Sequence, residues 1–328
     1  MSEALMQHAT QTIAVGSKSF ATAAKLFDAE TRRGVLMLYA WCRHCDDVVD
    51  GQELGFGPAA PAGHDAEREL ALLREETRRA YAGEPMRDPA FAAFQEVAAR
   101  HAIEPRYAYD HLAGFAMDVE GARYETIDDT LRYCYHVAGV VGLMMASIMG
   151  ARDPAVLDRA CDLGLAFQLT NIARDIVDDA RIGRCYLPAA WLREAGIPPG
   201  EVALPKHRAA LAKVAARLVD HAEPYYDSAL AGLAALPLRS AWAIATARLV
   251  YRQIGIVVKR RGGYAWDERA GTSKLTKLWL LLRGGLDALR SRFSARTLTN
   301  AAPRPAQLWR RPGGGAAGGL HGVPATAA

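Results

Sequence analysis

Apolar residues recur at three- and four-residue spacing through residues 21–49, 67–81, 91–102, 130–149, 155–177, 207–233 and 241–258. That period belongs to α-helices with one face turned to a core. Runs of β-branched residues alternating in period two are missing, so no sheet is expected. Helix breakers fall between the stretches: residues 55–63 with two prolines, Gly83-Glu84-Pro85, Asp153-Pro154, residues 196–200 with two prolines, and Leu236-Pro237. Asp153-Pro154 reads as an N-cap followed by proline in the first helical position. No fixed-period repeat and no internal linker divides the pattern. One all-α domain over residues 1–290 is predicted. Residues 291–328 turn basic and rich in Pro, Gly and Ala, and are expected not to fold.

Composition adds a compartment. The N-terminus lacks a basic segment leading into an apolar core, so no signal peptide is read. The longest apolar run, residues 137–149, is shorter than the roughly 20 residues a membrane-spanning helix needs. Five scattered cysteines do not suggest a disulfide framework. The expectation is a cytoplasmic protein, at most peripheral at the inner face of the cell membrane. Cys42 and Cys45 form a lone C-x-x-C with half the ligands a structural zinc site requires.

Charge is uneven. From Arg239 onward lie 16 of the 40 Lys/Arg but only 3 of the 36 Asp/Glu. A basic C-terminal third suits anions: diphosphates, acidic lipid headgroups or nucleic acid.

The polar positions inside the apolar helices carry the chemistry. Tyr39, Arg43, Asp46 and Asp50 fall within roughly 60° of one another on a helix wheel. Asp46 and Asp50 project together from the C-terminal end of a strongly apolar helix, where both mutual repulsion and the helix dipole disfavour them. A hard divalent cation would compensate, since Mg²⁺ is usually held by one or two carboxylates plus substrate phosphate. A solvated acidic helix end explains this cluster alone equally well. The second cluster changes the balance. Asp175 and Asp179 repeat the pairing, with Asp178 nearby, and Gln168 and Asn171 lie on the same stripe. A polar stripe on a core helix needs partners. Two such helices face to face would hold metal ions against a diphosphate and neutralise it as its C–O bond breaks.

At these residues the sequence resembles the squalene/phytoene synthase family, whose pattern is two D-x-x-x-D motifs on facing helices. Gly16-Ser17-Lys18-Ser19-Phe20, Tyr133-Cys134-Tyr135-His136-Val137-Ala138-Gly139 and Gly183-Arg184-Cys185-Tyr186-Leu187-Pro188 resemble three further family segments. The match covers about residues 9–277. Residues 15–50 are especially similar to bacterial members of carotenoid pathways. The resemblance implies an isoprenoid-synthase-type helical bundle around a central cavity. It also implies head-to-head condensation of two geranylgeranyl diphosphates, through prephytoene diphosphate, to phytoene. Asp46, Asp50, Asp175 and Asp179 would bind Mg²⁺ (or Mn²⁺), with Asn171 also a metal ligand. Ser17, Lys18, Ser19, Arg43, Arg174, Gln168 and Asn171 would contact diphosphate, metal or intermediate. Arg269 and Lys274 would close the phosphate site. Tyr39, Tyr133 and Tyr251 would line the reaction centre. Carotenoid enzymes acting before and after it would be partners.

Alternatives remain at this point. A squalene or dehydrosqualene synthase shares the first half-reaction on farnesyl diphosphate; squalene formation adds hydride from NADPH, which is not expected here. A di-iron bundle would use Glu-x-x-His pairs, and no Glu in this chain has His three residues on. A helical nucleic-acid or scaffold protein leaves the stripe of Gln168, Asn171 and Asp175 unexplained, so nucleic acid is not expected as a partner. The segment Trp279-Leu280-Leu281-Leu282, beside Lys274, Lys277 and Arg283, reads either as a basic amphipathic surface element or as a final core helix.

Overall fold

The computed structural model describes residues 5–7, 9–12, 23–51, 65–294 and 303–313. These residues form helices, with no strand among them. The first long helix, α1 (Ala29–Asp50), starts later than the apolar spacing suggests. Asp28 caps it by accepting from the Thr31 backbone N–H, and Gly51 ends it in the left-handed conformation. Then come α2 (Ala66–Tyr81), α3 (Pro89–His101) and α4 (Pro105–Val119). α4 was not foreseen from the spacing: His111 and Asp118 stand on its inner face among Leu112 and Phe115.

α5 (Ile127–Cys134) runs through a π-turn, Tyr135–Gly139, into α6 (Val140–Ile148). The continuous stretch Ile127–Ile148 is long and apolar enough to cross a membrane, but 67% of its most apolar window is buried in the bundle. The central helix α7 (Pro154–Arg181) is capped by Asp153, which accepts from the Ala155 N–H, with Pro154 in the first turn as expected. After the short α8 (Ala189–Glu194), α9 (Arg208–Gly232) packs along α7. A 3₁₀ turn, Leu233–Ala235, leads to α10 (Leu238–Arg261), and α11 (Lys274–Ser294) lies against α10.

Two glycines set the closest approach in the core. A Cβ on Gly142 would sit 2.3 Å from the Ala160 carbonyl oxygen, and one on Gly164 would sit 2.3 Å from that of Ala138. The α5–α6 rod and α7 therefore touch backbone to backbone. Gly139 packs closely as well, its Cβ position lying 3.0 Å from Cys161 Sγ.

Residues 303–313 fall in the stretch expected not to fold, yet they dock on the bundle. Arg304 makes a bidentate pair with Asp162 at 2.8 and 2.6 Å, and Arg311 Nε meets Asp158 at 2.6 Å. Leu308 is buried, and the Trp309 N–H donates to the Tyr225 hydroxyl at 3.1 Å. Composition marks this stretch as unfolded, but two arginines, a leucine and a tryptophan supply enough specific partners to fix it.

Candidate active site

α1, α4, the α5–α6 rod, α7, α9 and α10 enclose a cavity of about 820 Å³. α7 lines it from Val156 to Asp179, a rise of roughly 35 Å at 1.5 Å per residue. One end is charged, lined by Arg43, Asp46, Asp118, Arg174, Asp175, Asp179, Arg184 and Arg269. The other is largely apolar, with Met145, Met149, Val156, Leu233, Leu236 and Ile244. Between them Tyr39, Phe167, Gln168, Asn171 and Tyr251 form a collar, with the Phe167 and Tyr251 rings stacked at 4.1 Å.

α1 presents Tyr39, Arg43 and Asp46 from one face. The Asp46 side chain is 41% exposed, and that exposure is toward the cavity. Burial first, and then the neighbouring Asp50 and Asp47 carboxylates, push its pKa up to about 6 against the pull of Arg43. Arg43 Nη1 meets Asp46 at 2.5 Å. From α7, Asp175 takes Arg174 Nε at 2.8 Å and both Arg269 donors at 3.3 Å. Burial would raise Asp175, but these arginines outweigh it and hold the carboxyl below its usual range. The Asp179 carboxylate has no hydrogen bond or ion pair among the described residues; burial and then Asp175 push it up to about 7. Asn171 donates to Gln168 Oε1 at 3.3 Å, while its own Oδ1 is buried without a partner.

Most of the predicted residues thus converge. Tyr39, Arg43, Asp46, Tyr133, Gln168, Asn171, Arg174, Asp175, Asp179, Tyr251 and Arg269 all line the one cavity. Asp50 stands just behind its wall, held by Arg184 at 2.5 and 3.1 Å. Lys274 is exposed at the start of α11 and does not line the cavity. Asp178 also turns away, to an exposed pair with Arg181. Ser17, Lys18 and Ser19 lie outside the described residues. His136 is a packed histidine, its Nδ1 donating to the Asp110 carbonyl at 2.8 Å.

Two residues to which the sequence assigned no role complete the charged end. Arg184, three residues beyond α7, binds Asp50 of the first cluster and lies close enough to Asp179 of the second to lower its pKa. It ties the two clusters together. Asp118 on α4 accepts from the Tyr133 hydroxyl at 3.0 Å and the Tyr186 hydroxyl at 2.9 Å, with the two rings stacked at 4.5 Å. Burial raises its pKa, with Arg184 opposing. A lone Asp on a helix and an Arg in a loop carry no periodic signal. The signal available for Arg184 was its place in the Gly183–Pro188 segment.

No group of three or more His, Cys, Asp or Glu side chains converges as a ready metal cage among the described residues. The donors nonetheless fit a hard cation. They are oxygens, two of the carboxylates are pushed toward protonation by burial and by neighbouring carboxylates, and Asn171 Oδ1 lacks a donor. Mg²⁺ takes much of its shell from phosphate and water, so a complete protein cage is not required.

Comparison with known proteins agrees with this geometry. Residues 13–278 match the family model described as Squalene/phytoene synthase. A 15-cis-phytoene synthase from Pantoea ananas is 65% identical over 308 residues, covering 94% of this chain and 98% of that protein. One from a Paracoccus strain is 52% identical over 309 residues, again 94% of this chain and 98% of the relative. Among solved structures, a dehydrosqualene synthase in complex with ligand superposes with a TM-score of 0.78 at 26% identity, covering 88% of this chain and 98% of that one. The chain belongs to the squalene/phytoene synthase family.

Proposed function

We infer that the protein is a 15-cis-phytoene synthase, a prenyltransferase of carotenoid biosynthesis. It joins two geranylgeranyl diphosphates head to head. Each of the two steps, to prephytoene diphosphate and then to phytoene, releases one diphosphate and one proton. The observation that carries the reading is the 65% identity to a 15-cis-phytoene synthase along nearly the whole of both chains. The cavity supplies what the reaction needs: charge at one end for the diphosphates and a long apolar tunnel for the prenyl chains.

We further propose Mg²⁺, with Mn²⁺ as a substitute, as the metal. Asp46, Asp50, Asn171, Asp175 and Asp179 would hold it, and when bound it neutralises the departing diphosphate. Arg43, Arg174 and Arg269 now pair with aspartates; they are placed to turn to phosphate oxygens when substrate enters. The apolar walls and the collar of Tyr39, Phe167 and Tyr251 keep water from the carbocations. The test is product analysis with geranylgeranyl or farnesyl diphosphate, with and without NADPH. Phytoene from geranylgeranyl diphosphate without NADPH is expected. Squalene or dehydrosqualene as the main product would overturn the reading. Chelation with EDTA should stop turnover, and added Mg²⁺ or Mn²⁺ should restore it. Full activity in EDTA would remove the metal assignment.

A further inference from the structure

α11 is built differently from the other helices. Of the fifteen large hydrophobic side chains exposed among the described residues, seven lie on its 21 residues. Leu275, Leu278, Trp279 and Leu282 belong to its first half. Leu286, Leu289 and Phe293 continue the same stripe to its end. All are between 45 and 82% exposed. At 100° per residue they fall in an arc of about 100° that runs ~27 Å along the helix.

The orientation is fixed by the opposite face. A Cβ on Gly284 would lie 2.5 Å from Thr246 Oγ1 and 2.8 Å from its backbone nitrogen. Gly285 sits against the Trp242 indole, whose Nε1 donates to the Leu281 carbonyl at 2.8 Å. The helix therefore presses its small residues onto α10 and leaves its leucines outside. An apolar patch of this extent needs a cover.

Charge selects the cover. Lys274 edges one side of the stripe, Arg283 and Arg290 the other, Lys277 lies nearer the packed face, and the helix carries a single acid, Asp287. Two copies meeting on this face would bring like charges together. A bilayer with acidic headgroups would satisfy the stripe and both of its edges, the long basic side chains reaching up to the headgroups. The far end of α11 also touches the cavity wall. Arg292 donates to the carbonyls of Leu233 and Ala234, each at 3.2 Å. Leu233 lines the apolar end of the cavity, and Leu238, just past this turn, is exposed.

We propose that α11 is a docking face for an anionic lipid bilayer, lying in the plane of the interface with the apolar end of the cavity turned toward the hydrocarbon region. Lipid docking stands on α11 alone. That a hydrocarbon product is discharged there rests on the phytoene synthase reading.

The test is flotation of the full chain with vesicles of equal parts phosphatidylcholine and phosphatidylglycerol, or of phosphatidylcholine alone. The wild type should float with the mixed vesicles and much less with the neutral ones. Combined Leu278→Ser, Leu282→Ser and Phe293→Ser substitutions should cut the floating fraction roughly tenfold. In detergent micelles the same variant should keep its turnover. Three results would overturn the proposal: wild type that stays unbound, a variant that floats as well as wild type, or a wild-type dimer that the substitutions dissociate. Flotation without any phytoene in the detergent assay would remove the functional reading and leave the docking face intact.

Discussion

The two halves of α7 both set aspartates against arginines. In the N-terminal half, Asp162 is 0% exposed, accepts both nitrogens of Arg304 and takes a third hydrogen bond from Ser228 Oγ at 2.5 Å. In the C-terminal half, Asp175 shares Arg174 with no second aspartate and borrows Arg269 from an exposed position, while the Asp179 carboxylate has no direct hydrogen bond or ion pair among the described residues. The first arrangement is closed: its charge is matched and its hydrogen bonds are made. The second is left short of positive charge beside an open cavity. A helix can hold buried acids for stability or for work, and the difference lies in whether their partners are already complete.

That contrast predicts opposite phenotypes. Asp162→Ala leaves a half-buried Arg304 without its counter-charge, and since breaking a fully buried pair costs about 3–5 kcal/mol, the loss should lie at the low end of that range. Urea melts should show that loss, while turnover per folded molecule stays near wild type. Asp175→Asn and Asp179→Asn should do the reverse. Turnover should fall by about 10²–10³-fold, the usual scale for removing one electrostatic contributor to a developing charge. Stability should hold, or rise for Asp179→Asn, since that substitution relieves repulsion with Asp175. An Asp179→Asn enzyme with wild-type turnover would break the comparison.

A third buried group sharpens it with pH. His111 is buried, its Nδ1 donating to the His136 carbonyl at 3.2 Å, and burial pushes its pKa down to about 4. The unfolded chain takes up the proton near the ordinary value of about 6.5. Between those values only the unfolded state is protonated, so stability falls as pH falls from about 6.5 toward 4. At pH 5 the loss is about 2 kcal/mol, at about 1.4 kcal/mol per pH unit. His111→Leu should lack this component, so the gap in stability between pH 7 and pH 5 should shrink by about that amount relative to wild type. An unchanged gap would show that buried His111 is not the group whose protonation opposes folding in this range.

How much of this was legible in the sequence follows from what periodicity can report. The helical core and both aspartate pairs were readable, because i, i+4 carboxylates on apolar helices stand out against their surroundings. α4 was not, because the residues it buries toward the cavity are partly polar and blur the apolar stripe. Arg184 and Asp118 act through contacts with residues 134 and 15 positions away, Asp50 and Tyr133. No local spacing encodes such contacts. The docking of residues 303–313 was hidden for a related reason: a Pro-rich composition argues against a core of its own, but says nothing of a groove elsewhere that fits Arg304 and Trp309. Lys274 lies outside the cavity; a basic residue near a phosphate site looks useful in sequence whichever way its helix turns.

The smallest expected effect bears on Tyr133, which the sequence placed at the reaction centre. In the structure it lines the cavity, but its hydroxyl is spent on Asp118, and burial first and then Asp118 hold its pKa well above the ordinary tyrosine value. A phenol so hard to ionise is a poor proton acceptor and is better suited to steering Asp118. Tyr133→Phe removes one of the two hydroxyls that Asp118 accepts from and leaves Tyr186 in place. Losing one such hydrogen bond costs about 1 kcal/mol. Stability should drop by about that much, and turnover by no more than about tenfold. The paired change Tyr133→Phe/Asp118→Asn should then be little worse than Asp118→Asn alone, because the hydroxyl acts through that carboxylate. If Tyr133→Phe instead lost turnover a thousandfold in a background already carrying Asp118→Asn, the tyrosine would act on the reacting atoms itself rather than through Asp118.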